Sequence, residues 1–107
     1  MSYDLMVWKQ RADVARVPAE EVCEALCADT AHPATARFDI AAFESEMRAA
    51  FEDMDGMYEV ADFTGEPANW ICFTLPYSRV GEMMPKLHAM AAAHGLTLFD
   101  YQDEADE

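Results

Sequence analysis

Residues 69–75, Asn-Trp-Ile-Cys-Phe-Thr-Leu, constrain the fold most, since they are the strongest β-strand candidate in the chain. Alternate residues of a strand point to opposite faces of a sheet, and this segment is largely apolar on both. Pro76 ends the strand because it lacks the backbone N–H that a further ladder bond needs. We expect this strand at the centre of a sheet, beside a second strand at residues 3–9.

Around these two segments the sequence predicts four strands and three helices, in the order β-α-α-β-β-α-β. The strands lie at residues 3–9, 58–63, 69–75 and 96–101, and the helices at 18–28, 40–54 and about 81–95. The last helix is expected to begin near Gly81, because Pro85 removes a backbone hydrogen bond from a longer one.

This order is the split β-α-β pattern of ferredoxin-like domains. The predicted fold is therefore an α+β ferredoxin-like sandwich, a four-stranded antiparallel sheet with its helices on one face. We expect a single domain over residues 1–101, followed by a frayed acidic tail at residues 102–107.

The two faces of the predicted sheet carry different side chains. One parity is aliphatic and suits the helix-covered face: Leu5, Val7, Ile71, Phe73, Leu75, Leu96 and Leu98. The opposite parity is aromatic: Met6, Trp8, Trp70, Cys72, Phe99 and Tyr101. An uncovered aromatic face is typical of a partner site, a homodimer interface or a ligand pocket. We expect this face to be buried rather than exposed, either in a homodimer or as a second core under a loop, the tail or the extra helix.

The chain carries 21 acidic and 7 basic residues, a formal net charge of −14. This charge repels nucleic acid and anionic membranes, and it favours a basic protein partner. Residues 49–107 contribute −10 of it, with 12 acids and 2 bases. We assign partner binding to acids of the base-free segment 52–66 and to aromatic residues: Glu52, Asp53, Asp55, Glu59, Asp62, Trp8, Trp70 and Tyr101. A purely solvated acidic surface is the alternative.

The cysteine and histidine patterns indicate no catalytic centre. The three cysteines, Cys23, Cys27 and Cys72, are too few for a disulfide framework and fit a reducing cytoplasm. Cys23 and Cys27 share a helix face and with His32 offer three metal ligands, whereas structural zinc sites use four. We expect them to pack as small apolar residues. No nucleophile, base and orienting group can be assembled, so we predict no catalytic residue, no metal and no cofactor.

Three segments resemble a family of small, largely uncharacterised bacterial proteins. They are residues 2–8, Ser-Tyr-Asp-Leu-Met-Val-Trp; the pattern Phe43, Met47, Phe51, Met54 and Gly56; and residues 91–100, Ala-Ala-Ala-His-Gly-Leu-Thr-Leu-Phe-Asp. Members of this family look like immunity or accessory proteins encoded near bacterial toxins. The resemblance implies an α+β domain whose output is binding, and it supplies no catalytic residue.

Two functional hypotheses follow. The first is an acidic cytoplasmic inhibitor of the immunity type, which occludes a basic partner, foremost a toxin, without turnover. The second is a dimeric ferredoxin-like domain that binds or turns over a small molecule in a concave pocket lined by Trp8, Trp70 and Cys72. We favour the first hypothesis, and the net charge makes nucleic acid and membrane poor partners. We expect a cytoplasmic protein, because the apolar run near the amino terminus is too short for a signal sequence or a span.

Overall fold

The computed structural model describes residues 2–11, 19–28, 32–51, 56–62 and 65–100. These residues form five strands and three helices, so the protein is an α+β fold with an open antiparallel sheet, as predicted. The elements are β1 (Ser2–Gln10), α1 (Ala19–Cys27), β2 (Thr35–Ala36), α2 (Ile40–Ala50), β3 (Tyr58–Ala61), β4 (Trp70–Pro76), α3 (Tyr77–Ala93) and β5 (Thr97–Asp100). The predicted tail at residues 102–107 lies outside the described residues.

β1 is the central strand of the sheet. It pairs antiparallel with β4, from Ser2 opposite Pro76 to Trp8 opposite Trp70, which confirms that the two most apolar segments lie side by side. Its other edge pairs with β5 over residues 5–8, and its end at Lys9 and Gln10 pairs with the two-residue β2. β3 pairs antiparallel with β4 on the far side. The short β2 is a fifth strand that the sequence does not predict.

The first core lies between the aliphatic face of the sheet and two helices. α2 and α3 pack on this face, as the alternation of apolar residues predicts. The strand residues buried there are Leu5, Val7, Ile71, Phe73 and Leu75, with Leu96 and Leu98 packed against them. The facing helix residues are Ile40, Phe43, Met47, Met83, Leu87 and Met90.

A second core lies on the opposite, aromatic face, under α1. Val22, Cys23 and Leu26 of α1 cover Trp8 and Trp70, which are each 1% exposed. The prediction that all helices lie on one face of the sheet is therefore wrong, whereas the expected burial of the aromatic face is confirmed. α1 is amphipathic, and its apolar side buries this surface within the chain, which is the second-core alternative.

Two helix boundaries also differ from the prediction. α3 begins at Tyr77 and contains Pro85, which is exposed on the solvent side. An interior proline costs about 3 kcal/mol, but burial of Met83 and Leu87 on the other side supplies roughly 1.5–3 kcal/mol each. α2 ends at Ala50, short of residue 54, because Phe51 adopts an extended conformation and is buried in the first core.

Candidate binding site

A pocket of about 430 Å³ opens on the sheet face that carries α1. β1, β3 and β4 supply its floor, and the last turn of α1 supplies one wall. Its lining residues are Asp4, Leu5, Leu26, Cys27, Glu59, Val60, Ala61, Trp70, Cys72, Phe73 and Thr74. The pocket therefore extends from the tryptophan end of the face toward Asp4 and Thr74.

Strand register brings two carboxylates to this pocket from different strands. Glu59 of β3 lies opposite Cys72 of β4, and Asp4 of β1 lies opposite Thr74. Cys72 and Thr74 are two residues apart and share a face, so the two acids share it too. With strands about 4.8 Å apart and a rise of about 3.3 Å per residue, the Cα atoms of the acids are roughly 12 Å apart. The acids lie at diagonal corners of the pocket floor.

The pocket is electrostatically negative. Its acidic residues are Asp4 and Glu59, and none of the described residues that line it is a lysine, arginine or histidine. Asp4 is half-buried and Glu59 is exposed, so water reaches both carboxylates. Leu26, Trp70 and Phe73 form its apolar backing and are each 1% exposed, whereas the half-buried Cys72 presents apolar surface to the pocket. This combination suits a ligand that has a cationic head and a hydrocarbon stem.

The predicted acidic segment 52–66 does not present all of its charges in one place. Asp62 forms an ion pair with Nη2 of Arg37, and Nδ2 of Asn69 also donates to Asp62 at 3.4 Å. Nη1 of Arg37 donates to the carbonyl oxygen of Glu66 at 3.1 Å. The charge of Asp62 is thus largely compensated, whereas Glu59 lies in the pocket. Four other predicted partner-binding residues lie outside the described residues: Glu52, Asp53, Asp55 and Tyr101.

The two tryptophans do not have the exposed anchoring role that the sequence predicts. Trp8 is buried under α1 and is not one of the pocket residues, and Trp70 lines the pocket with only 1% of its surface exposed. The small-molecule hypothesis expected a pocket lined by Trp8, Trp70 and Cys72, and the last two do line it. Asp4 was missed, although it continues the parity of Met6 and Trp8 along β1.

Tyr58 fastens β3, and with it Glu59, to α2. The Tyr58 hydroxyl donates to Oε2 of Glu44 at 2.5 Å and accepts from Nε of Arg48 at 2.8 Å. The guanidinium of Arg48 also lies 5.3 Å from the centre of the Tyr58 ring. Partial burial, followed by the bond to Glu44, raises the pKa of Tyr58, and Arg48 opposes that shift. The hydroxyl therefore remains protonated and bridges the two charged groups at neutral pH.

The cysteines differ in exposure. Cys23 is buried as expected, but Cys27 is exposed and lines the pocket, so the prediction that both pack as apolar residues is wrong for Cys27. Both lie on the same helix face, but Cys23 enters the second core whereas Cys27, one turn later at the end of α1, is exposed. Nε2 of His32 forms a hydrogen bond with Oε2 of Glu21 at 3.0 Å, so the histidine considered as a third metal ligand is already engaged.

No helix in the described part of the chain combines the length and the apolar character that a membrane span requires. The resemblance to bacterial immunity or accessory proteins stays a prediction. Comparison of the chain with protein-family models, curated proteins and solved structures found no match.

Proposed function

We propose that this chain is an acidic binding protein that inhibits a basic protein partner, foremost a bacterial toxin, by occluding the partner's site. The observation that carries the proposal is the pocket with two acidic residues, apolar walls and no basic residue in its described lining. A lysine or arginine side chain of the partner suits this pocket, because its hydrocarbon stem packs against the half-buried Cys72 while its charge meets a carboxylate.

Charge governs the encounter of the two proteins. A net charge of −14 attracts a basic partner over a distance of about one Debye length, roughly 8 Å at physiological ionic strength. Association is therefore fast at low salt and slower at high salt, while dissociation depends on the pocket contacts. Inhibition of this kind needs no turnover.

The pocket charges set the expected affinity loss. Removing one partner of a buried charge pair in an interface costs about 2–5 kcal/mol. Since Glu59 is exposed and Asp4 half-buried in the unbound protein, the lower end of that range applies. A loss of about 2 kcal/mol corresponds to roughly 30-fold weaker binding.

The test compares the pocket variant Asp4→Asn/Glu59→Gln with a charge-matched control, Glu24→Gln/Glu66→Gln, whose two acids are exposed and outside the pocket. Each immobilised protein captures partners from a lysate of the native host at low and physiological salt. Mass spectrometry identifies the captured proteins, and the dissociation constant is then measured with the purified partner. We expect the control to bind like the unmodified protein, and the pocket variant to bind about 30-fold more weakly.

Two results would contradict the proposal. Equal affinities of the pocket and control variants would exclude the pocket as the recognition site. Capture of no basic protein at either salt concentration would count against the function itself. If the captured protein is a toxin, its activity must fall in step with occupancy by the unmodified chain.

A small cationic ligand is a second candidate, and the pocket dimensions favour it. The volume of about 430 Å³ falls within the range of small-molecule sites, about 300–1,000 Å³. The diagonal placement of Asp4 and Glu59 suits an extended diamine or polyamine, one ammonium group at each acid. Titration calorimetry with spermidine at physiological salt should show saturable binding that the pocket variant loses. A signal that is equal in the pocket and control variants would exclude this function.

A further inference from the structure

Two thiols meet at the carboxyl end of α1. Sγ of Cys23 and Sγ of Cys27 lie 3.7 Å apart, the first buried and the second exposed. Cys27 also lines the pocket, so the pair is reached from solvent. We propose that Cys23 and Cys27 form a two-coordinate site for a soft monovalent cation, for which Cu(I) is the physiological example. This inference does not depend on the proposed partner.

The number of ligands selects the ion. Among the described residues, no group of three or more histidine, cysteine, aspartate or glutamate side chains is placed to hold a metal. His32 is engaged elsewhere, because Nε2 contacts Glu21 at 3.0 Å and Nδ1 accepts the N–H of Ala34 at 3.0 Å. Structural zinc needs four ligands, whereas soft thiolates select Cu(I), for which two suffice.

Helix geometry favours a bridging ion over a disulfide. Residues four apart on a helix have Cβ atoms about 5–6 Å apart, but a disulfide needs about 3.5–4.5 Å. Two metal–sulfur bonds of about 2.3 Å, the length of a zinc–sulfur bond, span about 4.6 Å when collinear. The two Sγ atoms therefore need to separate by only about 0.9 Å from their 3.7 Å contact. Small side-chain rotations at the last turn of α1 achieve this without breaking the helix.

Proton release accompanies binding. Each thiol loses its proton to solvent when its sulfur coordinates the ion, and no electron is transferred, because copper enters and remains as Cu(I). The apparent affinity therefore rises with pH, up to about 100-fold per unit while both thiols are protonated in the free protein. The apparent affinity of a site with a single thiol would rise by about tenfold per pH unit at most.

The experiment titrates the full chain with Cu(I) under anaerobic conditions, in competition with the coloured chelator bicinchoninate. We expect one Cu(I) per chain, counted by native mass spectrometry. Cys27→Ser, at an exposed position, should weaken binding by more than about 100-fold, since loss of even an outer-shell group costs 10–100-fold. Cys72→Ser is the matched control, and its Cu(I) dissociation constant should stay within threefold of that of the unmodified protein, a difference of roughly 0.7 kcal/mol in binding free energy.

Cys23→Ala supplies a second variant, and far-UV circular dichroism checks that it folds. It should lose binding like Cys27→Ser. The proposal is overturned if the unmodified chain takes no Cu(I) from the chelator. Equal losses of Cu(I) affinity in Cys72→Ser and Cys27→Ser would also overturn it. So would an apparent affinity that rises by only about tenfold per pH unit, which corresponds to the release of one proton.

Discussion

Replacing Asn69 by aspartate tests whether one buried amide fastens the segment before α2 to the sheet. Asn69 is 1% exposed, and its Oδ1 accepts the N–H of Phe38 at 2.9 Å. Its Nδ2 donates to the carbonyl of Phe38 at 3.0 Å and to Asp62 at 3.4 Å. Aspartate has the same shape and keeps the accepted bond, but its carboxylate donates neither of the other two.

The magnitude follows from these contacts. Each lost hydrogen bond costs about 1 kcal/mol. The new carboxylate also lies beside Asp62, whose charge is shared with Arg37 and partly solvated, so we add only about 1 kcal/mol for repulsion. Asn69→Asp should therefore lower the free energy of unfolding by about 3 kcal/mol at pH 7, and Tm by roughly 12 °C.

The loss should depend on pH. Burial and the neighbouring Asp62 raise the pKa of the new carboxyl in the folded state. The protonated form donates to the Phe38 carbonyl, so its stabilising effect is complete below the unfolded pKa of about 3.9 and disappears as the pH rises through the folded pKa. The difference from the unmodified protein should therefore shrink at acid pH.

Urea unfolding followed by far-UV circular dichroism at pH 7 and pH 4 measures both effects. Ser78→Ala, at an exposed position, serves as control and should change stability by less than about 0.5 kcal/mol. A folded Asn69→Asp variant within about 1 kcal/mol of the unmodified protein at pH 7 would refute the reasoning. So would a deficit that grows at acid pH.

Two further predictions concern α3 and Tyr58. Pro85→Ala should stabilise the protein by about 1–3 kcal/mol, because the new N–H donates to the carbonyl of Gly81 and the exposed site loses no packing; an unchanged urea midpoint would contradict this. Tyr58→Phe should destabilise the protein at neutral pH, because Glu44 and Arg48 lose the hydroxyl between them. Because folding raises the pKa of Tyr58, its hydroxyl stabilises the folded protein fully below its ordinary pKa of 10.0 and loses this effect as the pH rises through the folded pKa. Tyr58→Phe and the unmodified protein should therefore converge in stability above pH 10. Urea unfolding from pH 7 to pH 11 measures this, and a constant difference would count against it.

The sheet was largely predictable because alternation is a local property of each strand. The parity of Leu5 and Val7 against Met6 and Trp8 assigned each residue to its correct core, and the pairing of β1 with β4 followed from their apolar character. The placement of α1 was not predictable in the same way. An amphipathic helix fits either face of a sheet, and the path of the crossover chooses between them.

The candidate site was predictable only in part. Glu59 was recognised from its place in a base-free acidic segment, but the compensation of Asp62 depends on Arg37, which is 25 residues away in sequence. The pocket also needs Asp4 and Cys27 from elements that meet only in the folded chain. Charge counted along a sequence therefore identified the segment, whereas tertiary contacts decided which of its described acids lies in the pocket.

The covered aromatic face also has an optical consequence. Both tryptophans of the chain, Trp8 and Trp70, lie opposite each other in the β1–β4 ladder beneath α1. The indole N–H of Trp8 has no hydrogen-bond partner among the described residues, a setting in which indole emits at short wavelength. Intrinsic fluorescence therefore reports whether α1 covers the sheet, while far-UV circular dichroism is dominated by the longer α2 and α3. A mismatch between the two signals during unfolding would measure detachment of α1 separately from loss of the first core.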